Sequence, residues 1–244
     1  MKKYGVIGFP VKHSFSPAYF AQKFNFLGIT DCEYAAYELS NIVDIKELIA
    51  RENLAGFNVT IPYKQTIIPY LDHISEAAAQ INAVNTITVK NGKWYGDNTD
   101  HIGFSSSLMG LMPSDETKAL IFGTGGSSLA VRYALNQMGI SYNSVSRGAA
   151  GDYTYDEITL SIVKEHRLLI NTTPLGMYPR VAESVAIPYE AIGDKHLCYD
   201  LVYTPEETEF LCKAKAKKAT IKNGLEMLEI QADEAWDIWK SYDK

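Results

Sequence analysis

The chain has 244 residues, 46% of them hydrophobic and 21% charged, a composition typical of a folded globular protein with one large domain or two small ones. Its net charge of −6 at pH 7 argues against nucleic acid or an anionic membrane as the main partner, because both attract basic surfaces. We therefore expect a small-molecule substrate. Monomer and homodimer both stay open.

The N-terminal segment has two lysines and only a short apolar run, which Gly8 and Pro10 interrupt. This run is too short for a signal peptide, and no other segment reaches the ~20 apolar residues of a membrane span. The three cysteines, Cys32, Cys198 and Cys212, are odd in number and widely spaced, and the histidines form no ligand-like cluster. These features predict a cytoplasmic protein with reduced thiols and no metal site.

Short apolar runs alternate with helical patterns, which is typical of an α/β protein with mainly parallel sheets. Strands are predicted at residues 4–8, 56–61, 83–89, 93–95, 119–122, 143–146, 168–171 and 197–200. Helices are predicted from residue 16, at 102–111, from the glycine-rich turn to near 139, from 205, and at 225–239. Ser16 is expected to cap the first helix with Pro17 in its first turn, and Asn91-Gly92 predicts a tight hairpin turn.

A glycine-rich turn, residues 123–128 (GTGGSS), follows a hydrophobic strand and opens a helix. Its spacing matches G-x-G-x-x-[small], with Ser128 at the third small position. Backbone amides at such a turn can approach a pyrophosphate, whose charge the helix N-terminus favours. A plain tight turn is the alternative, but the strand before, the helix after and the next strand favour dinucleotide binding.

The end of the next strand bears on the choice of cofactor. NAD enzymes usually have Asp or Glu there to bind the ribose hydroxyls, whereas this chain has Ser146-Arg147. An arginine at this place can pair with a 2′-phosphate through its planar fork. An exposed loop arginine is the alternative, and Asp152 lies close in sequence. We predict NADP, with NAD less favoured.

Polar side chains also stand where strands end in the first half of the chain. Ser14 and Ser16 are candidates for a carboxylate cradle beside helix amides, although turn and cap roles are simpler. Asn58 and Thr60 point to one side of a strand, and Lys64 follows in what reads as a helix start.

Asn85 and Asp100 show the same strand-end position. Ligands in open α/β sheets gather at such ends. The simpler roles are a hairpin polar residue for Asn85, a helix N-cap for Asp100 and a surface residue for Lys64.

Together these segments closely resemble the shikimate dehydrogenase family. The matching motifs occur in the family's order over nearly the whole chain: Gly8-Phe9-Pro10, His13 to Pro17, Asn58 to Lys64, Ala83 to Thr86, Asp97 to Asp100, the glycine-rich turn, Asn171 to Met177, Tyr199 to Pro205, and Asn223 to Leu228 with Gln231. The chain differs from many relatives at Asn82, where they have glycine, at residues 146–148 (SRG), where they have Asn-Arg-Thr, and at Glu226.

The resemblance implies an oxidoreductase that reversibly reduces 3-dehydroshikimate to shikimate with NADPH, on the route to chorismate and aromatic amino acids. It implies that Lys64 and Asp100 are the catalytic pair. The implied substrate residues are Ser14, Ser16, Thr60, Lys64, Asn85, Asp100, Tyr203 and Gln231. The implied cofactor residues are Gly123, Thr124, Gly125, Gly126, Ser127, Ser146, Arg147, Thr172, Leu201 and Gly224.

We therefore predict an α/β protein of two domains. Residues 1–101 form a substrate-binding domain with a mainly parallel sheet, and the last helix, in residues 225–244, packs back on it. Residues 102–224 form a Rossmann-like NADP-binding domain. Two alternatives stay open: a quinate or amino-shikimate dehydrogenase of the same fold, and a non-catalytic dinucleotide-binding or regulatory protein. Lys64 and Asp100 argue against the second alternative, because neither is needed for folding.

Overall fold

The computed structural model describes residues 1–12, 14–112 and 117–242, and the chain splits into two compact units. The first unit comprises Met1–Thr99 and Gln231–Lys244, and the second comprises Asp100–Ile230. Each unit contains a six-stranded sheet within the described residues, so the predicted α/β class is confirmed. His13, which belongs to one of the motifs above, lies outside the described residues. In the described part of the chain, no helix combines the length and hydrophobicity that crossing a membrane requires.

The first unit is built on a mixed sheet. Its elements are β1 (Lys2–Gly8), α1 (Ser16–Leu27), β2 (Cys32–Glu38), α2 (Ile45–Glu52), β3 (Leu54–Val59), β4 (His73–Ile74), α3 (Glu76–Ile81), β5 (Thr86–Lys90) and β6 (Lys93–Asp97). The strand order is β2-β1-β3-β5-β6-β4, and β5 alone among these strands runs antiparallel to its neighbours. Strands β1, β3 and β6 therefore end at the edge where β5 begins.

The hairpin between β5 and β6 confirms the predicted turn. Asn91 and Gly92 both have positive φ angles, 54° and 73°. Two successive residues with positive φ give the turn whose twist matches that of the paired strands, and Asn-Gly is the dipeptide that adopts it at least cost.

The core of the first unit lies on both faces of its sheet. One cluster includes Phe57, Ile87 and Trp94. The other joins α1 to the last helix of the chain through Phe20, Tyr4, Trp236 and Trp239. The Trp239 ring stacks on Tyr4 with 4.8 Å between centroids, and its Nε1 donates to the Ile87 carbonyl at 2.9 Å. The C-terminal helix thus packs on the first sheet, as predicted.

The second unit has the strand order of a Rossmann fold. Its elements are α4 (Asp100–Leu108), β7 (Ala119–Phe122), α5 (Gly126–Gln137), β8 (Tyr142–Ser146), β9 (Tyr153–Thr154), α6 (Leu160–Glu165), β10 (Leu168–Asn171), β11 (Leu197–Asp200), α7 (Glu209–Ala216), β12 (Thr220–Lys222) and α8 (Leu225–Ser241), of which the residues from Gln231 onward belong to the first unit. The six strands are parallel in the order β12-β11-β10-β7-β8-β9. If the six strands are numbered 1 to 6 in chain order and read from β9, the order is 3-2-1-4-5-6. This is the doubly wound order, and its switch point lies between β7 and β10.

Hydrophobic clusters cover the second sheet on both faces. Phe122, Val145 and Phe210 belong to one cluster, and Phe104 and Tyr199 belong to the other. A strand that is buried on both faces has a continuous apolar run as its sequence. For this reason the sequence predicts β7, β10 and β11 with the bounds that the structure shows.

Three local predictions were wrong. Ser16 does not cap α1: the cap position is Phe15, without a side-chain bond, and the Ser16 hydroxyl binds Tyr34 instead. Lys64 does not begin a helix but lies in a turn. The helix expected from Pro205 begins four residues later at Glu209, because the Thr208 hydroxyl accepts from the Leu211 amide at 3.4 Å and so caps it.

We predict that Gly56→Ala destabilises the protein. A Cβ at Gly56 would lie 2.5 Å from Trp239 Nε1 and 3.0 Å from the Ile87 carbonyl oxygen, the two atoms of the bond that fixes α8. Overpacking of this kind costs about 1–3 kcal/mol of unfolding free energy, which denaturant titration would measure. Gly193→Ala is the matched control, because a Cβ there meets nothing within 4 Å. Equal stability of both variants would contradict the packing described here.

Candidate functional site

A buried polar network occupies the edge of the first sheet where β3 and β6 end and β5 begins. Its centre is Asn85, which is 2% exposed. Asn85 Oδ1 accepts from the Thr99 backbone amide at 2.7 Å. Asn85 Nδ2 donates to Thr99 Oγ1 at 3.0 Å and to Gln231 Oε1 at 3.2 Å. We name this set, with Asn58 and Thr86, the Asn85 network.

Asn58 extends the Asn85 network towards β2 and α1. Its Nδ2 donates to Thr86 Oγ1 and to the Asn85 carbonyl, both at 3.1 Å, and its Oδ1 accepts from the Tyr34 hydroxyl at 2.8 Å. Burial raises the pKa of Tyr34 above its ordinary value, an effect that the hydrogen bond with Ser16 partly offsets. The phenol therefore stays neutral and acts as a donor. A continuous chain of hydrogen bonds thus links Ser16 on α1 to Gln231 on α8.

Three further predicted site residues lie on segments that leave the same edge. Ser14 is half-buried, and its Oγ accepts from the Ser16 amide at 3.4 Å. Thr60 follows β3, and its amide donates to the Ile7 carbonyl on β1 at 2.9 Å. Lys64 is half-buried, and its carbonyl accepts from the Val84 amide at 2.7 Å. Ser14, Thr60 and Lys64 therefore all lie on segments beside the sheet edge that carries the Asn85 network.

Asp100 and Tyr203 belong to the second unit. Asp100 follows Thr99 directly and is the first residue of α4, where a carboxylate suits the helix dipole. It is 5% exposed. Tyr203 is half-buried in the loop after β11.

The glycine-rich turn follows β7 at the switch point of the second sheet. Gly123 has a φ of 109°, and a Cβ on it would lie 2.6 Å from Thr172 Oγ1, so a side chain is excluded there. Gly125 has open space around its Cα, and α5 begins at Gly126. The Ser128 hydroxyl donates to the Gly123 carbonyl at 2.8 Å and closes the turn. The N-terminus of a 12-residue helix beside an open glycine fits a pyrophosphate.

The end of β10 completes this edge. The Thr172 hydroxyl donates to the Phe122 carbonyl at 2.7 Å, which ties the two strands that flank the switch point. Gly224 lies so close to the end of β11 that a Cβ on it would collide with the Leu201 carbonyl oxygen. Thr172 thus lies beside Gly123, and Gly224 lies beside Leu201. Thr124 and Ser127 lie half-buried in the same turn.

The loop that follows β8 contains one cationic residue, Arg147, and one acidic residue, Asp152. Arg147 is exposed directly after the strand. Asp152 is engaged elsewhere, since its Oδ2 accepts from the Ser144 amide at 2.7 Å and from the Ser144 hydroxyl at 2.8 Å. The Ser146 hydroxyl and the Gly148 backbone bond to each other in the turn between them.

A buried carboxylate that the sequence did not single out organises the loop after β11. Asp200 Oδ1 accepts from Asn171 Nδ2 and from the Val202 amide, both at 3.0 Å, and its Oδ2 accepts from Thr208 Oγ1 at 2.6 Å. Burial raises the pKa of Asp200 to about 6, although these three hydrogen bonds oppose the rise. An acidic residue ending an otherwise apolar strand was the available signal.

These features define a class: an α/β protein that pairs a Rossmann sheet with a second unit carrying a polar strand-end cluster. The family model for the shikimate dehydrogenase substrate binding domain matches residues 6–87. A relative from Staphylococcus aureus (strain MRSA252), a shikimate dehydrogenase (NADP(+)), is 38% identical over 256 residues, covering 99% of this chain and 93% of the relative. The chain belongs to the shikimate dehydrogenase family.

Solved structures agree over the same length. Shikimate dehydrogenase from Aquifex aeolicus superposes with a TM-score of 0.85 at 35% identity, covering 99% of this chain and 93% of that one. Shikimate 5-dehydrogenase from Thermus thermophilus, in complex with NADP(H) and shikimate, superposes with a TM-score of 0.87 at 32% identity, covering 99% of this chain and 94% of that one.

We predict that Asp200 makes stability fall as pH rises from about 4 to 6. The unfolded carboxyl ionises near its ordinary pKa of about 4, whereas the folded one keeps its proton up to a pKa of about 6. Over this window the folded state loses on the order of 2–3 kcal/mol relative to Asp200→Asn, which cannot ionise. Urea titrations of both proteins at several pH values would measure the difference. Parallel stability curves would show that the folded pKa is not raised.

Proposed function

We propose that this chain catalyses the NADP-dependent, reversible reduction of 3-dehydroshikimate to shikimate, a step towards chorismate and aromatic amino acids. The observation that carries the proposal is the full-length match, at 38% identity, to a relative of that activity. The site geometry supports it independently. A pyrophosphate cradle in one unit and a polar, uncharged strand-end network in the other suit a dinucleotide and a polyhydroxylated carboxylate.

We propose that different residues of the substrate site bind the carboxylate and the ring hydroxyls of the substrate. The hydroxyls of Ser14 and Ser16, one on a turn and one on α1, would hold the carboxylate. The amide and hydroxyl groups of Asn85, Thr60, Gln231 and Tyr203 would hold the ring hydroxyls. A substrate that lacks these hydroxyl groups would leave polar atoms of the site unpaired. Such a site therefore discriminates strongly against that substrate.

Lys64 and Asp100 are the proposed acid–base pair, and both also belong to the proposed substrate set. Reduction of a ketone places negative charge on its oxygen, which needs a proton and a nearby positive charge. An ammonium group supplies both, and a carboxylate close to it would orient it. The two groups would then titrate as a coupled pair.

NADP is the proposed cofactor, and when bound it supplies or accepts the hydride. Gly123, Gly125, Gly126 and the amides of Thr124 and Ser127 would hold the pyrophosphate at the start of α5. Further cofactor contacts are assigned to Ser146, Arg147, Thr172, Leu201 and Gly224. Arg147 would pair with the 2′-phosphate, and Asp152 is bound to Ser144 and so does not compete for the ribose.

Domain roles follow the same division. We assign substrate binding to residues 1–101 with 225–244, and cofactor binding to residues 102–224. We further propose that the protein acts in the cytoplasm, where NADPH-dependent biosynthesis takes place, as a monomer or a homodimer.

The proposed activity is tested by initial velocities with shikimate and quinate, each with NADP⁺ and NAD⁺. We expect fast turnover with shikimate and NADP⁺ only, because Arg147 has a 2′-phosphate to bind and the Asn85 network matches shikimate's hydroxyls. A preference for quinate would reassign the substrate and leave the catalytic pair in place. No turnover with any pair, in folded protein that binds NADPH, would favour a regulatory dinucleotide-binding protein.

Replacement of Lys64 separates catalysis from binding. We predict that Lys64→Met lowers kcat by about 10²- to 10⁴-fold, the range typical of a lost general acid–base group, with a smaller change in KM. Lys93→Met is the matched control, because Lys93 is an exposed lysine of the same unit, at the start of β6. A Lys64→Met enzyme with nearly wild-type kcat would exclude the proposed role.

A further inference from the structure

Tyr34 on β2 links the aromatic core of the first unit to the Asn85 network. It is not among the residues assigned to substrate or cofactor. Its ring stacks on the buried Phe20 ring with 4.2 Å between centroids, and the centroid of the Trp239 ring lies 6.2 Å away. Its hydroxyl donates to Asn58 Oδ1 at 2.8 Å. Because the phenolic oxygen lies on the axis of the ring, the packing of the ring determines where this hydroxyl stands.

The direction of each hydrogen bond at Asn58 follows from a backbone group. The Asn85 carbonyl can only accept, so the atom of Asn58 that faces it at 3.1 Å is the amide nitrogen. The opposite atom, Oδ1, can also only accept, so the single hydroxyl proton of Tyr34 points to Asn58. Asn58 is only 7% exposed, so its amide depends on these protein partners. Tyr34 and the Asn85 carbonyl therefore hold the two ends of one planar carboxamide.

Asn58 passes this orientation on to the centre of the Asn85 network. Its Nδ2 also donates to Thr86 Oγ1 at 3.1 Å, and the Thr86 hydroxyl donates its own proton to Asn85 Oδ1 at 3.1 Å. The Thr99 amide donates to the same oxygen at 2.7 Å. Asn85 Nδ2 is thereby turned to Gln231 Oε1, at 3.2 Å. The donor and acceptor directions of both carboxamides thus belong to one chain of hydrogen bonds that starts at Tyr34.

We propose that Tyr34 is a positioning residue of the substrate site: it holds the Asn58 carboxamide and, through it, the donor and acceptor atoms that the Asn85 network presents to the ring hydroxyls of the substrate. Groups that are already oriented bind more tightly, because less freedom is lost when the ligand arrives. This inference rests on the proposed function, which supplies the substrate.

Tyr34→Phe tests the role by removing one oxygen while keeping the ring that stacks on Phe20. Asn58 Oδ1 then stays buried without this donor, and the carboxamide is free to turn. We expect the Kd for shikimate, measured by calorimetric titration without cofactor, to rise about tenfold.

Initial velocities separate this effect from a general loss of structure. In Tyr34→Phe we expect the KM for shikimate to rise about tenfold, with kcat changed by less than about twofold, because groups that bind substrate and transition state alike affect KM alone. The KM for NADP⁺ should stay unchanged, since the residues assigned to the cofactor lie in the second unit. A general loss of structure would lower kcat without this selective change.

Tyr37→Phe is the matched control. Tyr37 lies on the same strand, and its ring packs against the core cluster of Phe57 and Trp94 on the other face of the sheet. Its hydroxyl takes part in none of the hydrogen bonds of the Asn85 network described above. We expect wild-type affinity for shikimate in this variant. Equal weakening in Tyr37→Phe and Tyr34→Phe would assign the loss to a disturbance of β2 and would overturn the proposal.

The double variant Tyr34→Phe/Asn58→Leu shows whether Tyr34 acts through Asn58. If it does, the double variant binds shikimate no more weakly than Asn58→Leu alone, because that change already removes the acceptor of the phenolic proton. Additive losses would mean that Tyr34 acts by another route, and the proposal would be wrong.

The Ser16 hydroxyl provides a competing outcome. It is hydrogen-bonded with Tyr34, and because the phenolic proton points to Asn58, Ser16 is the donor. Tighter shikimate binding in Tyr34→Phe would mean that the phenol competes with the substrate carboxylate for the Ser16 proton. That result would overturn the proposal, as would an unchanged Kd.

Failure of the proposed function would look different. In that case wild type itself would neither bind shikimate nor turn it over, and the positioning role would fall with the substrate assignment. Wild-type protein that binds shikimate, together with a Tyr34→Phe variant of equal affinity, would remove the positioning role alone.

Discussion

The side chain of Asn85 is the constraint on which the polar edge of the first unit depends. A carboxamide offers acceptor and donor groups in one fixed plane. Asn85 uses the acceptor for the Thr99 amide and the donors for the Thr99 hydroxyl and the Gln231 carbonyl oxygen, so it couples the end of β6 to α8. Because all three groups are neutral, the network avoids the large cost of burying an unpaired charge. A polar network held by several mutual hydrogen bonds also has one preferred geometry, which is what a selective substrate site needs.

In the second unit, close approach of backbone segments fixes the ends of the strands. At Gly123 and Gly224 the neighbouring atoms leave no room for a Cβ, and in each case the neighbour belongs to another strand end at the cofactor edge. The Thr172 hydroxyl can donate to the Phe122 carbonyl because β7 and β10 are neighbouring strands of the sheet. Asp200 adds a third connection, from β11 to Asn171 on β10 and to the cap of α7. The edge is therefore fixed by main-chain geometry and a few short hydrogen bonds.

Much of this arrangement follows from the sequence because it is encoded locally. Continuous apolar runs predicted β7, β10 and β11, and the Asn91-Gly92 pair predicted the hairpin. Other features depend on tertiary contacts, which a local pattern does not encode. The Ser16 hydroxyl forms a hydrogen bond with Tyr34 and therefore does not cap α1. No sequence pattern indicated strand β2, because this edge strand mixes half-buried and exposed residues. The Asp200–Asn171 hydrogen bond joins the ends of two strands that are 29 residues apart in the chain, so no local pattern predicts it.

The departures from the family pattern support the same view, since they preserve backbone geometry while changing side chains. Asn82, where many relatives have glycine, ends α3 with a φ of 57°, and asparagine is among the few residues that adopt this left-handed conformation at small cost. Glu226 forms an exposed ion pair with Lys222 on the preceding strand, so its charge needs no ligand to explain it. At residues 146–148, the Ser146 hydroxyl bonds the Gly148 backbone and maintains the turn that presents Arg147. Because the Ser146 hydroxyl is engaged in that turn and Gly148 has no side chain, the proposed contact with a 2′-phosphate would be made by Arg147 among these three residues.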